Sequence, residues 1–112
     1  MIDTQLGGGA RSSQHLLLAL QALTNLALTD EGVQAVIAAG GAAPLVSLLK
    51  SGASVDQLRQ TLLCITNLAS LNVERRQLLE AGALPAVENI LRSSPQLAGE
   101  AESARSNLTI YC

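Results

Sequence analysis

A chain of 112 residues, 48% hydrophobic and 14% charged, has room for one domain at most and is too apolar to be disordered. A formal charge of −2 and one aromatic residue, Tyr111, give nothing to draw in a phosphate backbone or to stack on bases, so no nucleic-acid partner is expected. Cys64 and Cys112 are too few for a disulfide framework and have no metal-ligand spacing, which reads as reduced thiols in an intracellular, cytoplasmic or nuclear, protein.

The opening Met1-Ile-Asp-Thr-Gln lacks the basic-then-apolar layout of a signal peptide, and residues 1–11 with their triple glycine read as a flexible leader. No Gly-Lys-Ser/Thr follows those glycines, so they do not form a phosphate loop. The uncharged run 12–29 is long enough to raise a membrane span, but Gln14, His15, Gln21 and Asn25 would be penalised in hydrocarbon. It reads instead as a helix capped by Ser12 or Ser13 and apolar on more than one face, which expects neighbours on most sides. Asp30 can cap a short helix ending at Ala39; Gly40-Gly41 breaks the chain, and a second helix covers 42–50. Ser54-Val-Asp-Gln57 has the form of a capping box opening a long helix to Ala69, with Leu58, Leu62, Ile65 and Leu68 as its buried stripe. The cycle restarts at Asn72: a helix to Ala81, Gly82 as breaker, a helix from Pro85 to Arg92, and a last helix from Ser94-Pro95 towards Ile110.

The same text returns in these cycles. Leu23-Thr-Asn-Leu-Ala-Leu28 recurs as Ile65-Thr-Asn-Leu-Ala-Ser70, so Asn25 and Asn67 lie 42 residues apart; a weaker copy, Arg105-Ser-Asn-Leu-Thr-Ile110, follows after 40. Self-similarity at this period is the mark of a helical solenoid. In the last copy Glu102 and Arg105 stand where Leu62 and Ile65 stood. A charge in a buried slot is expensive, so that face should be solvated, with the two residues paired, as befits a terminal repeat.

The pattern resembles the armadillo repeat. Ala81-Gly-Ala-Leu-Pro85, Leu91-Arg-Ser93 and Leu62-Leu-Cys-Ile-Thr-Asn-Leu-Ala69 match its blocks closely, as do Gln34, Ala39-Gly40 and Leu48-Leu-Lys-Ser51, although Pro44 sits one place late. The resemblance implies an all-α, right-handed superhelix of three-helix repeats over 12–112. Its parts would be the third helix of a partial repeat at 12–29, a complete repeat at 30–70 and a degraded terminal repeat at 72–112.

The resemblance also implies a protein-interaction module, an adaptor or scaffold, with a peptide groove lined by the third helices. There Asn25, Asn67 and Asn107 would hold the backbone of an extended peptide. A carboxamide suits that task, because it offers donor and acceptor together and can satisfy one peptide unit without reading its side chain. Nuclear-import receptors of the family carry Trp four residues before the Asn; here those positions are Gln21, Leu63 and Ser103, which argues against that cargo. Arg59, beside Gln60, is a candidate for reading an acidic partner, whereas Arg75-Arg76 reads as surface.

No enzyme is expected. His15 is the only histidine and fills the slot of Gln57, Cys64 fills a small buried slot shared with Ala22 and Ala104, and no cofactor or metal fingerprint is present. The competing reading is structural: a solenoid segment that caps, extends or dimerises a larger array. Leu16, Leu17 and Leu18, with nothing upstream to cover them, point to a homo-oligomer or to continuation of a longer array through that end.

Overall fold

The computed structural model describes the backbone of residues 2–110 and the side chains from Gln14 to Ile110. All regular structure among them is helical. α1 spans Ile2–Leu26, α2 Asp30–Ala38, α3 Ala42–Leu49, α4 Val55–Leu68, α5 Asn72–Glu80 and α6 Ala83–Ser93. A 3₁₀ turn over Pro95–Leu97 then leads into α7, Ala98–Leu108.

A lone long helix is thus followed by two three-helix units, α2-α3-α4 and α5-α6-α7. The long helices α1, α4 and α7 pack side by side in that order, while α3 and α6 lie under α4 and α7. The core runs continuously through the stack, from Leu20 and Val33 through Leu62, Ile65 and Leu68 to Val87, Leu97 and Leu108.

Local chemistry sets most of the boundaries. Ser54 Oγ accepts from the Gln57 amide and Gln57 Oε1 accepts from the Ser54 amide, each at 3.2 Å, which completes the box that opens α4. α2 is capped by Thr29 rather than Asp30: Thr29 Oγ1 accepts from the Gly32 amide at 3.0 Å, and Asp30 becomes the first helical residue, where its charge faces the positive helix end. Gly40 and Gly82 hold the same place in successive units, with φ of 83° and 93°. Only glycine enters that left-handed region without a Cβ penalty, so the break between first and second helices recurs where the residue recurs.

Two further sequence expectations meet a different structure. α1 begins at Ile2, so the segment read as a leader, with its glycines and the candidate caps Ser12 and Ser13, lies within the helix. Each interior glycine costs about 1 kcal/mol relative to alanine, but extending a nucleated helix gains one hydrogen bond per residue, and propensity alone does not stop it. α6 starts at Ala83, two residues before Pro85, which still falls in the first turn where no amide partner is lost.

No single described helix is long and apolar enough to cross a membrane. α2 and α3 reach the length together only through an 84° bend, and the inner faces of both are buried in the core.

The face formed by the third helices

The asparagines sit where α1, α4 and α7 end, and their amides are engaged differently from what an open groove would require. Asn67 Nδ2 donates to the Thr24 carbonyl of α1 at 3.1 Å, and Asn107 Nδ2 donates to the Thr66 carbonyl of α4 at 2.9 Å. The reason lies in the helix ends. In the last turn of α1 the Ala27, Leu28 and Thr29 amides go to the carbonyls of Leu23, Asn25 and Leu26, which skips Thr24. In α4 the Ala69 and Ser70 amides go to Ile65 and Asn67, which skips Thr66. Each asparagine therefore supplies a donor to a carbonyl that the previous helix leaves open. Asn67 and Asn107 are half-buried, whereas Asn25, with no third helix before it, is exposed.

A carboxamide nitrogen carries two hydrogens, so one N–H and Oδ1 of each clamped asparagine remain for another partner. What the clamp adds is orientation, since the amide plane is held by the fold before any ligand arrives.

The neighbouring residues divide in the same way. Gln60 Nε2 donates to Thr24 Oγ1 at 3.0 Å, and that hydroxyl donates to the Leu20 carbonyl at 2.7 Å. Arg59 donates through Nε to Glu100 on α7 at 3.1 Å and through Nη1 to Asp56 at 3.4 Å. Its charge is thus shared with two carboxylates of the chain itself, which an acidic partner would have to compete with. Gln21, Leu63 and Ser103 are exposed in a row across the three helices, Leu63 at 38%.

Leu16, Leu17 and Leu18 do not act together. Successive helix residues point about 100° apart. Leu16 packs on the core, Leu17 is half-buried, and Leu18 alone is an exposed apolar side chain, at 61%.

Arg75 carries more than the sequence reading gave it. Arg75 is buried rather than at the surface: its Nη1 donates to the Ala69 carbonyl at the end of α4, at 2.9 Å, and Nη2 is hydrogen-bonded to Asn72 Oδ1. A cation there meets the negative end of the helix dipole. The available signal was the register, since Arg75 falls 42 residues after Val33, a core position. Cys64 is fully buried beside Thr24; burial pushes its thiol up to about 11, and the hydrogen bond with Thr24 pulls only part of that back. It is an inert packing group. At the far end Glu102 and Arg105 pair, Nη2 to Oε2 at 2.5 Å, on a half-exposed surface, and the guanidinium holds the Glu102 carboxyl below its ordinary range. No group of three or more His, Cys, Asp or Glu side chains that could hold a metal occurs among the described residues.

Helical units stacked with their third helices in register define an α-solenoid. The Armadillo/beta-catenin-like repeat pattern matches residues 29–70. Among solved structures the fold matches one titled "Designed armadillo repeat protein YIII(Dq)4CqI", with a TM-score of 0.72 and 36% sequence identity, over 80% of this chain and 39% of that one. The chain therefore spans well under half the length of that design. No curated protein matches it. The repeat is the armadillo repeat, and the chain is an armadillo-repeat segment with a right-handed superhelical fold. That fold is one of non-enzymatic, protein-binding scaffolds.

Proposed function

We propose that the chain is an adaptor whose third-helix face holds an extended peptide, with Asn25, Asn67 and Asn107 engaging the peptide backbone and Gln21 and Leu63 lying under it. The observation that carries this reading is the clamp on Asn67 and Asn107. Their amides are fixed in orientation and keep both a donor and an acceptor, so binding does not have to freeze them. Each backbone bond contributes only about 0.5–1.5 kcal/mol, so a short ladder gives micromolar affinity or weaker.

The structural reading draws on the same bonds: a residue that closes an open carbonyl of the previous unit already has a reason to be asparagine. Truncating Asn67 does not separate the two, because fold and ligand would suffer together. Leu63 does. It is exposed, lies in the middle of the face and takes no part in the clamps. Peptides selected from a displayed library of unstructured sequences should lose at least about tenfold in affinity on Leu63→Asp, with an unchanged denaturation midpoint. Failure to select any peptide whose binding Leu63→Asp weakens would leave the solenoid as a purely structural element.

A further inference from the structure

The second helices form a cleft that the third-helix face does not use. Where the end of α3 meets the first turns of α6, Leu49, Lys50, Pro85, Ala86 and Asn89 line about 350 Å³. Leu49 and Ala86 make a buried apolar floor, and Lys50, Pro85 and Asn89 are exposed at the rim. Lys50, the only lysine of the chain, directly follows α3. A lysine there can turn back to the open carbonyls of its own helix. Its ammonium instead lies 3.9 Å from the point that a Cβ on Gly82 would occupy, at the start of α6. It makes no ion pair and no side-chain hydrogen bond among the described residues. The start of α6 has no side-chain cap and carries a positive partial charge of its own, so the two repel and both favour an anion. The cleft's own helices offer none: α3 has no carboxylate, and Glu88, the one carboxylate of α6, acts on Arg105 of α7.

We propose that this cleft docks an acidic, extended segment of a partner protein, with a carboxylate on Lys50 and an aliphatic side chain over Leu49, Pro85 and Ala86. The two side chains stand two positions apart in the segment, because an extended chain turns alternate residues to the same side. The carboxamide of Asn89, in no hydrogen bond among the described residues, offers donor and acceptor together to the segment's backbone. Shape and charge select this occupant. A small molecule is usually enclosed over most of its surface, whereas this cleft is open along its rim and suits a chain that passes through. An unmatched cation beside an apolar floor favours a segment of opposite charge. The site lies on α3 and α6 and does not depend on the peptide face of α1, α4 and α7.

The single lysine supplies the probe. Reductive methylation with labelled formaldehyde keeps the Lys50 charge and gives a side-chain NMR signal in the cleft, assigned by its loss in Lys50→Met. The ligands are drawn from a displayed library of unstructured peptides with a fixed acidic residue and an aliphatic residue two positions on. Selection against the wild-type chain should return binders that shift the Lys50 signal. Their affinity should fall at least about tenfold on Lys50→Met, which keeps the apolar stem and removes the charge, and several-fold on Asn89→Ala. It should be unchanged on Leu63→Asp, which alters the third-helix face alone. Exchanging the peptide's acid for its amide should lower wild-type affinity to that of Lys50→Met. Both positions are exposed, so denaturation midpoints should not move. The proposal is overturned if no selected peptide depends on Lys50 or if the amide peptide binds as tightly as the acid. It is equally overturned if acetate shifts the Lys50 signal as far as the peptide at equal concentration, which would mark a site for small carboxylates.

Discussion

Asn25 and Asn67 stand in the same Thr-Asn-Leu-Ala setting, yet one is exposed and the other is half-buried and bound to the helix before it. The local sequence is the same; the difference is whether a third helix packs before it among the described residues. In a solenoid a side chain acquires its role from the neighbouring unit, so one residue type serves as inter-repeat clamp at one position and as exposed amide at another. The two ends of the stack differ in the same sense. The side of α1 turned away from α4 is uncharged, whereas the side of α7 turned away from α4 carries the paired Glu102 and Arg105.

That contrast can be broken most forcefully in the middle of the stack. Leu62→Ala, at a fully buried position of α4, should cost about 2–5 kcal/mol in urea unfolding, while Leu18→Ala on the exposed side of α1 should stay within about 0.5 kcal/mol. Equal losses would mean that α1 is covered as α4 is.

The next effect separates the same two helices by pH. Cys64 has its folded-state pKa raised from 9.0 to about 11, so the unfolded thiol ionises first. Stability is full below pH 9 and falls as pH rises towards 11, by about 2–3 kcal/mol. Cys64→Ala, the residue found at Ala22 and Ala104, should remove that fall. Denaturation midpoints at pH 8 and above pH 10 would check it.

Arg75→Ala takes a charged donor from the end of α4 and should cost about 1.5–3 kcal/mol, although its neighbour Arg76, exposed, should tolerate the same change. The smallest difference is the most specific. Asn67→Ala should lower stability by about 0.5–1.5 kcal/mol, and Asn25→Ala should leave it unchanged.

The fold was legible because its determinants are local or periodic. The capping box at Ser54, the glycine breaks at Gly40 and Gly82 and the 42-residue echo each specify a helix end or a register. The inter-repeat surface was harder to read, because polar residue types disguise burial. Gln57, Thr61 and Arg75 are buried, and only comparison with the slot one repeat away gives that away. The Arg59–Glu100 pair was not legible either, because Glu100 lies 41 residues downstream and no local pattern announces it. The asparagines stand out in the sequence by their repetition. Their bonds to Thr24 and Thr66 do not, since those depend on which carbonyl a helix end leaves open.

The most direct measurement is on those bonds in solution. In a labelled sample, through-hydrogen-bond coupling from Asn67 Nδ2 to the Thr24 carbonyl carbon, and from Asn107 Nδ2 to that of Thr66, should be observable, with slowed exchange of both side-chain amides. Asn25 should show neither. Three asparagines exchanging alike at the rate of a free amide would contradict the stacking described for α1, α4 and α7.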